Sequence, residues 1–261
     1  MVLPERNTKH KVPTVSTYDE SSRVKSLMPT LNEFAEDIFI LEGPSVPFFG
    51  FPYPTRSVII RLKSGDGCFV WSPTELSEEA AKEIEEKAGR VLFIVAPNKI
   101  HHIFLGQWVE RYPDAKVLAA PGLKGRSVVK DVRIDGELGD HADPSYADDI
   151  DQVVFGGSCF MDEVVFYHKS SRTAIFTDLI QRFPLKEAKG FKGYLLKLDG
   201  LVGEKGSTPR DYRLSFLFGK KKARAAKEKI LAWDTERLII AHGMCASSGA
   251  ASIVERSLSW V

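Results

Sequence analysis

The sequence has little of what marks secreted, membrane or nucleic-acid-binding proteins. It holds three cysteines in 261 residues, an odd number without close spacing. This argues against a disulfide framework and favours a reducing compartment, so we predict a cytoplasmic protein. The 36 lysines and arginines nearly balance 35 aspartates and glutamates, leaving a net charge of +1. No global charge therefore favours nucleic acid or an anionic membrane as a partner.

Several other signals are missing. No apolar run approaches the ~20 residues needed to span a bilayer, and the polar N-terminus lacks the apolar core of a signal peptide. No Gly-rich stretch of the sequence matches a phosphate-binding loop. A Gly-x-Ser-x-Gly elbow is also absent, so the sequence does not support a serine hydrolase. Residues 1–30 are polar and contain prolines, which predicts an N-terminal arm. Residues 31–261 suffice for one domain with a large core.

Strand and helix patterns alternate along that domain. A first set of apolar runs predicts strands at Ile38–Glu42, Ser57–Leu62, Cys68–Trp71 and Val91–Ala96, with a helix at Ser77–Ala88. A second set predicts strands at Gln152–Phe155, Glu163–His168 and Thr173–Thr177. The segment Gly43–Thr55 between the first two strands contains four prolines and four aromatic residues. We expect a loop there rather than a central strand, either a rigid cover over the core or one wall of a binding cleft.

Three predicted strands run into potential metal ligands. They are VLFIVAPNKIHH, AIFTDL and LIIAHG, which place His101 and His102, Asp178, and His242 at strand ends. Polar groups at such ends collect along one rim of a layered α/β fold. The alternative is structural: adjacent histidines on a strand point to opposite faces, so the pair would cap the next helix, and the other two would only make hydrogen bonds.

The segments APNKIHH, FTDL and IAHG, with the order of elements, resemble the metallo-β-lactamase fold superfamily and its DUF4336 branch. The resemblance runs from about Leu31 to the C-terminus and implies an αββα sandwich, with two mixed sheets flanked by helices. In that superfamily a strand ends in Thr-His-x-His-x-Asp-His. Here Pro97 and Lys99 stand at the first two histidines, so the resemblance implies that the first metal site is lost. The second site maps onto His101, His102, Asp178 and His242.

This ligand set implies one divalent metal, zinc or iron, because three imidazoles and a carboxylate suit those ions better than magnesium or calcium. The resemblance then implies a mononuclear metal-dependent enzyme acting on a small organic molecule. We expect hydrolysis of an ester, lactone or thioester, with Asp178 and His102 catalytic and Asp178 accepting a proton from water. The alternatives are a metal-assisted lyase or isomerase, and a binding module of the same fold without catalysis.

Other residues are assigned to the substrate or to the surroundings of the site. We predict that Lys99 binds a substrate carboxylate; the alternatives are that it replaces the charge of the lost first ion or is solvated. We also predict that the aromatic side chains of Gly43–Thr55 wall the cleft. Those assigned to substrate binding are Phe49, Phe51 and Tyr53. Glu163 is a candidate partner for a ligating histidine, although a solvated glutamate is commoner. For His168, at the end of a predicted strand, we expect a packed or turn-bonded side chain.

Overall fold

The structure, a computed structural model, describes residues 31–48, 51–63, 65–187, 190–203 and 206–261. The predicted arm at 1–30 lies outside these ranges. Seven strands form a first sheet in sequence order. They are β1 (Asn32–Ala35), β2 (Ile38–Phe48), β3 (Phe51–Arg61), β4 (Cys68–Trp71), β5 (Val91–Ala96), β6 (Lys116–Ala119) and β7 (Gly136–Glu137). The pairs from β1 to β4 are antiparallel and those from β4 to β7 are parallel, which makes the sheet mixed.

The second sheet has four strands in the order β11, β10, β9, β8. They are β8 (Ile150–Phe155), β9 (Glu163–His168), β10 (Thr173–Phe176) and β11 (Arg237–Ile240). Only the pair of β10 with β11 is parallel. In the described part of the chain six α-helices accompany the sheets: α1 (Glu78–Ala88), α2 (Leu105–Arg111), α3 (Gly190–Leu198), α4 (Arg210–Leu214), α5 (Lys220–Leu231) and α6 (Ala250–Ser257). No helix within the described ranges is long and apolar enough to cross a membrane.

The buried side chains separate into layers that define a sandwich. A central cluster joins the two sheets, where the rings of Phe69 and Phe166 lie 5.5 Å apart between centroids. A second cluster packs α1 and α2, through Ile84 and Trp108, on the outer face of the first sheet. A third packs α5 and α6 on the outer face of the second sheet. The predicted αββα architecture is therefore confirmed.

The segment Gly43–Thr55 differs from the predicted loop. Strands β2 and β3 continue through it as a hairpin in which Val46 pairs with Tyr53 and Pro47 with Pro52. Strand β1 contacts β2 at its base alone, and β4 contacts β3 at its base alone. Among the described residues the distal half is therefore a ribbon with no further strand beside it, where a proline without an N–H donor is tolerated.

His168 at the end of β9 is bonded within the next turn, as expected. Its ring nitrogens lie 2.7 Å from Ser171 Oγ and 3.2 Å from Ser170 Oγ. Burial lowers the pKa of His168 to about 4, and the nearby ammonium of Lys63 adds to this shift. The carboxylates of Asp149 and Asp37 oppose it. In the folded protein His168 stays neutral down to about pH 4, whereas in the unfolded chain it takes up a proton below pH ~6.5. The free energy of unfolding therefore falls as the pH drops from about 6.5 towards 4.

We accordingly expect the variant His168→Gln to lose less stability on acidification than the parent. Between pH 7 and pH 5 the difference should be on the order of 2 kcal/mol in the free energy of unfolding. Urea unfolding at the two pH values measures it, and only the change with pH matters, since the substitution also alters packing. Equal pH dependence in both proteins would contradict the assignment.

Candidate metal centre

Three potential ligands converge where the two sheets meet. His101 lies in the turn between β5 and α2, Asp178 follows β10, and His242 follows β11. The ligand atoms of the three side chains all lie within 4.8 Å of one another. His101 Nε2 is 3.3 Å from Asp178 Oδ2, and His242 Nε2 is 3.4 Å from Asp178 Oδ1. The carboxylate thus stands between two imidazoles, each facing a different oxygen.

The fold brings these positions together in two ways. Strands β10 and β11 are parallel neighbours, so the residues that follow them emerge side by side. The chain after β5 crosses to the other sheet, where Val164 N donates to Pro97 O at 2.8 Å. Asn98 also forms a bridge with Glu163 there. This crossing carries His101 to the ends of β10 and β11.

Asn98 is a buried amide that fixes two of the three ligands. Its Nδ2 donates to Asp178 Oδ2 at 2.7 Å and to Thr177 Oγ1 at 2.9 Å. Its Oδ1 accepts from the backbone N–H groups of Ile100 at 2.9 Å and His101 at 3.0 Å. The amide thus donates two hydrogen bonds and accepts two, which uses all of its hydrogen-bonding groups. The Asn98 side chain therefore sets the distance between the His101 turn and the Asp178 carboxylate.

Glu163 is fully buried and holds the backbone of the segment that carries Asp178. Its side chain accepts from the backbone N–H groups of Thr177 and Asp178 at 2.8 Å and of Leu179 at 3.0 Å. Burial, followed by the neighbouring Asp178 charge, raises the pKa of Glu163 to about 7. The candidate partner of a ligating histidine thus holds the backbone of the ligand aspartate instead.

The outer contacts of the histidines orient their inner nitrogens. His242 Nδ1 lies 2.9 Å from Pro54 O, an acceptor, so Nδ1 carries the proton. In the neutral ring Nε2 then presents a lone pair that could bind an ion, whereas in the protonated ring Nε2 donates to Asp178 Oδ1. His101 Nδ1 lies 2.7 Å from Ser72 Oγ, which can donate or accept. Burial raises the pKa of Asp178, but the hydrogen bonds and charges of the two histidines outweigh it, and the pKa falls below its usual range.

This donor set fits a divalent transition-metal ion. A zinc ion held at about 2.0–2.2 Å by tetrahedrally arranged donors needs donor atoms roughly 3.4 Å apart. Each histidine lies at about that distance from one of the two carboxylate oxygens, at 3.3 and 3.4 Å, and one ligand atom from each residue lies within 4.8 Å of the others. Three protein ligands with a further open position are typical of catalytic rather than structural zinc. His101, Asp178 and His242 are therefore the residues that would hold an ion.

His102 lies outside this group. It is half-buried, and its pKa is lowered by burial and then by the nearby guanidinium of Arg126. Asn98 bonds the backbone N–H of His101, and the ligand atoms of His102 are not among those that the described residues bring together. The geometry therefore does not support the roles predicted for His102 as a ligand and as a catalytic residue.

The residues assigned to substrate binding differ in whether the structure puts them beside the three ligands. A cavity of about 830 Å³ is lined by the three ligand residues and by Tyr53, whose ring lies 5.1 Å from that of His242 between centroids. Lys99 is not part of the described lining, and its ammonium packs beside Gly122. Phe49 and the side chain of Phe51 lie outside what the structure describes. Only Tyr53 is thus placed at the cleft.

The chain belongs to the family described as "Domain of unknown function (DUF4336)", whose family model matches residues 38–193. No curated protein matches the sequence. Among solved structures, a metallo-beta-lactamase from Pontibacter korlensis shares 14% identity at a TM-score of 0.58, covering 88% of this chain and 97% of that one. A second, from Hirschia baltica, shares 14% at 0.56, covering 88% and 96%.

A third similar structure is the metallo-beta-lactamase FIM-1 from Pseudomonas aeruginosa in its mono-zinc form. It shares 12% identity at a TM-score of 0.54, covering 88% of this chain and 93% of that one. At these identities the likeness shows the fold alone. The protein therefore has a fold of the metallo-β-lactamase type, and its chemistry has to be argued from the site.

Proposed function

We propose that the protein is a metal-dependent hydrolase with a single divalent ion, zinc or ferrous iron. The observation that supports this is the convergence of His101, Asp178 and His242 at the floor of an organic-sized cavity. When bound, such an ion polarises a substrate carbonyl and lowers the pKa of a water molecule. The three cysteines are free, which supports a cytoplasmic location, and a cavity of about 830 Å³ supports a small-molecule substrate.

The remaining residues hold the ligands rather than the substrate. Pro54 O fixes the His242 tautomer, and Asn98 and Glu163 position the Asp178 side chain and backbone. The Asp178 carboxylate accepts from Asn98 and faces both histidines. We therefore assign Asp178 to holding the ion, beside the proton-accepting role that the sequence suggested.

Two measurements on the parent protein test the proposal. Protein purified without added metal should contain about one zinc or iron per chain by mass spectrometry. It should hydrolyse p-nitrophenyl esters in a reaction that a chelator stops and the same metal restores. A protein that contains and binds no divalent metal, and hydrolyses no ester, would instead support the binding-module alternative.

One contact favours a second candidate, a metal-independent serine esterase. Ser72 follows β4 directly, has a left-handed backbone at φ 52°, and lines the cavity. Its Oγ lies 2.7 Å from His101 Nδ1, and His101 Nε2 lies 3.3 Å from Asp178. A serine, a histidine and an aspartate thus form a connected chain, as in serine hydrolases. The ring nitrogens are used in the reverse order, and the sequence shows no nucleophile elbow.

The variant Ser72→Ala separates the two candidates. In a metal enzyme it removes an outer partner of His101, so metal affinity should fall about tenfold to a hundredfold, with hydrolysis regained at saturating metal. Metal titration followed by calorimetry and by initial rates measures both. In a serine esterase, saturating metal would restore nothing, and the parent alone would be labelled at Ser72 by a fluorophosphonate.

A further inference from the structure

The walls of the cavity are mainly apolar, while its floor carries the ligand group. The described lining comes from the β2–β3 hairpin, the turn before α2, helix α3 and the start of α4. The volume of about 830 Å³ lies within the ~300–1,000 Å³ typical of sites for small organic ligands. The space far exceeds what a single ester or thioester group needs, so most of it must accept some other part of the substrate.

Four large apolar side chains line this cavity and yet remain exposed to water. Ile103 is 57% exposed, Phe160 53%, Leu195 38% and Leu198 46%. They come from three separate parts of the chain: the turn before α2, the segment before β9, and α3. Grouped apolar exposure of this kind marks a binding surface more often than a solvated one. A hydrocarbon group that covers all four side chains would remove their apolar surface from water.

The charges of the lining disfavour an anionic substrate. Besides the ligand group, the charged side chains in the described lining are Asp199, Arg210 and Asp211. Together they carry one negative charge, and Arg210 lies 3.9 Å from Asp199 as an ion pair. No cluster of cationic groups in this lining could hold a phosphate or a free carboxylate in the way that arginine pairs do.

We propose that the substrate is a neutral ester or thioester whose acyl part is an aliphatic chain long enough to cover Ile103, Phe160, Leu195 and Leu198. The reacting bond rests on the proposed function, whereas binding of the chain does not require the ion. Hydrolysis would add water across the C–O or C–S bond, releasing a carboxylic acid and an alcohol or thiol. The mainly aliphatic walls favour a flexible chain over a large aromatic group.

Chain binding can be measured without catalysis. The probes are straight-chain ketones from 2-hexanone to 2-undecanone, which are neutral and cannot be hydrolysed, titrated calorimetrically into chelator-treated protein. Affinity should rise about threefold to fourfold with each methylene until the cavity is filled, since a buried methylene contributes ~0.8 kcal/mol. Affinity independent of chain length would overturn the proposal.

Matched variants locate the binding surface. Ile103→Asn and Leu198→Asn should each weaken 2-undecanone binding by about fivefold to tenfold and change 2-hexanone binding less. Val128→Asn is the control, because Val128 is 55% exposed and is not part of the described lining. All three sites are exposed, so thermal unfolding should confirm intact folds. Equal losses in the control and the cavity variants would overturn the proposal.

The two proposals fail in distinguishable ways. If the ketones bind with the expected dependence on chain length but the protein takes up no metal, the apolar site stands and the metal-dependent hydrolase is wrong. If the metal-loaded protein hydrolyses short and long acyl esters with equal kcat/KM, the hydrolase stands and the long-chain substrate is wrong.

Discussion

The variant His242→Ala is expected to lose its divalent ion under conditions in which the parent retains it. The imidazole is one of only three ligands in the described group, and its loss leaves Asp178 and His101, too few to hold zinc tightly. Affinity should fall by more than the tenfold to hundredfold expected for loss of an outer partner. Mass spectrometry of the purified variant and competition with a chromophoric chelator measure the loss.

Two further histidine variants serve as controls for this result. His141→Ala removes an exposed histidine and should leave metal affinity unchanged. His102→Ala tests the four-ligand set predicted from the sequence against the three-ligand group of the structure, and we expect it to retain the ion. If His102→Ala lost as much metal as His242→Ala, the three-ligand description would be wrong and the sequence prediction right.

Local signals made much of the fold predictable. Helix α1 is an example, because Ser77 Oγ accepts from Ala80 N at 3.1 Å and Gly89 ends the helix at φ 84°. The strands that precede His101, Asp178 and His242 could be recognised as short apolar runs. Their convergence was predictable only through the family resemblance, because an apolar run predicts a strand but does not show which other strands lie beside it.

The parts that were missed depend on contacts between distant segments. The outer half of the β2–β3 hairpin resembles a proline-rich loop, and only its position beyond β1 and β4 allows it to pair. Asn98 contacts Asp178 across 80 positions in the chain, and no local pattern distinguishes it from a turn residue. Helix α3 was not predicted because its apolar side chains are divided between a small core cluster and the cavity.

The variant Glu163→Ala is expected to produce a large loss of stability, because it leaves three buried backbone donors without an acceptor. The donors belong to Thr177, Asp178 and Leu179, and the structure offers each of them this carboxylate at 2.8–3.0 Å. Each unsatisfied buried group costs about 1–3 kcal/mol, so the loss of the acceptor for all three donors should lower the free energy of unfolding by roughly 3–9 kcal/mol, with the lower end expected where water enters the space.

Glu163→Gln should lose less stability than Glu163→Ala, because its amide oxygen remains as an acceptor. It should still be less stable than the parent, because its amide nitrogen faces a backbone donor. Glu86→Ala is the matched control, an exposed glutamate on α1, and should change stability by less than ~0.5 kcal/mol. Denaturant unfolding of the metal-free proteins measures the stabilities of the three variants without a contribution from the ion.

Since Glu163 holds the Asp178 backbone, any folded Glu163→Gln should also bind metal more weakly than the parent. If Glu163→Ala proved as stable as Glu86→Ala, the carboxylate would not be the acceptor that holds the turn after β10.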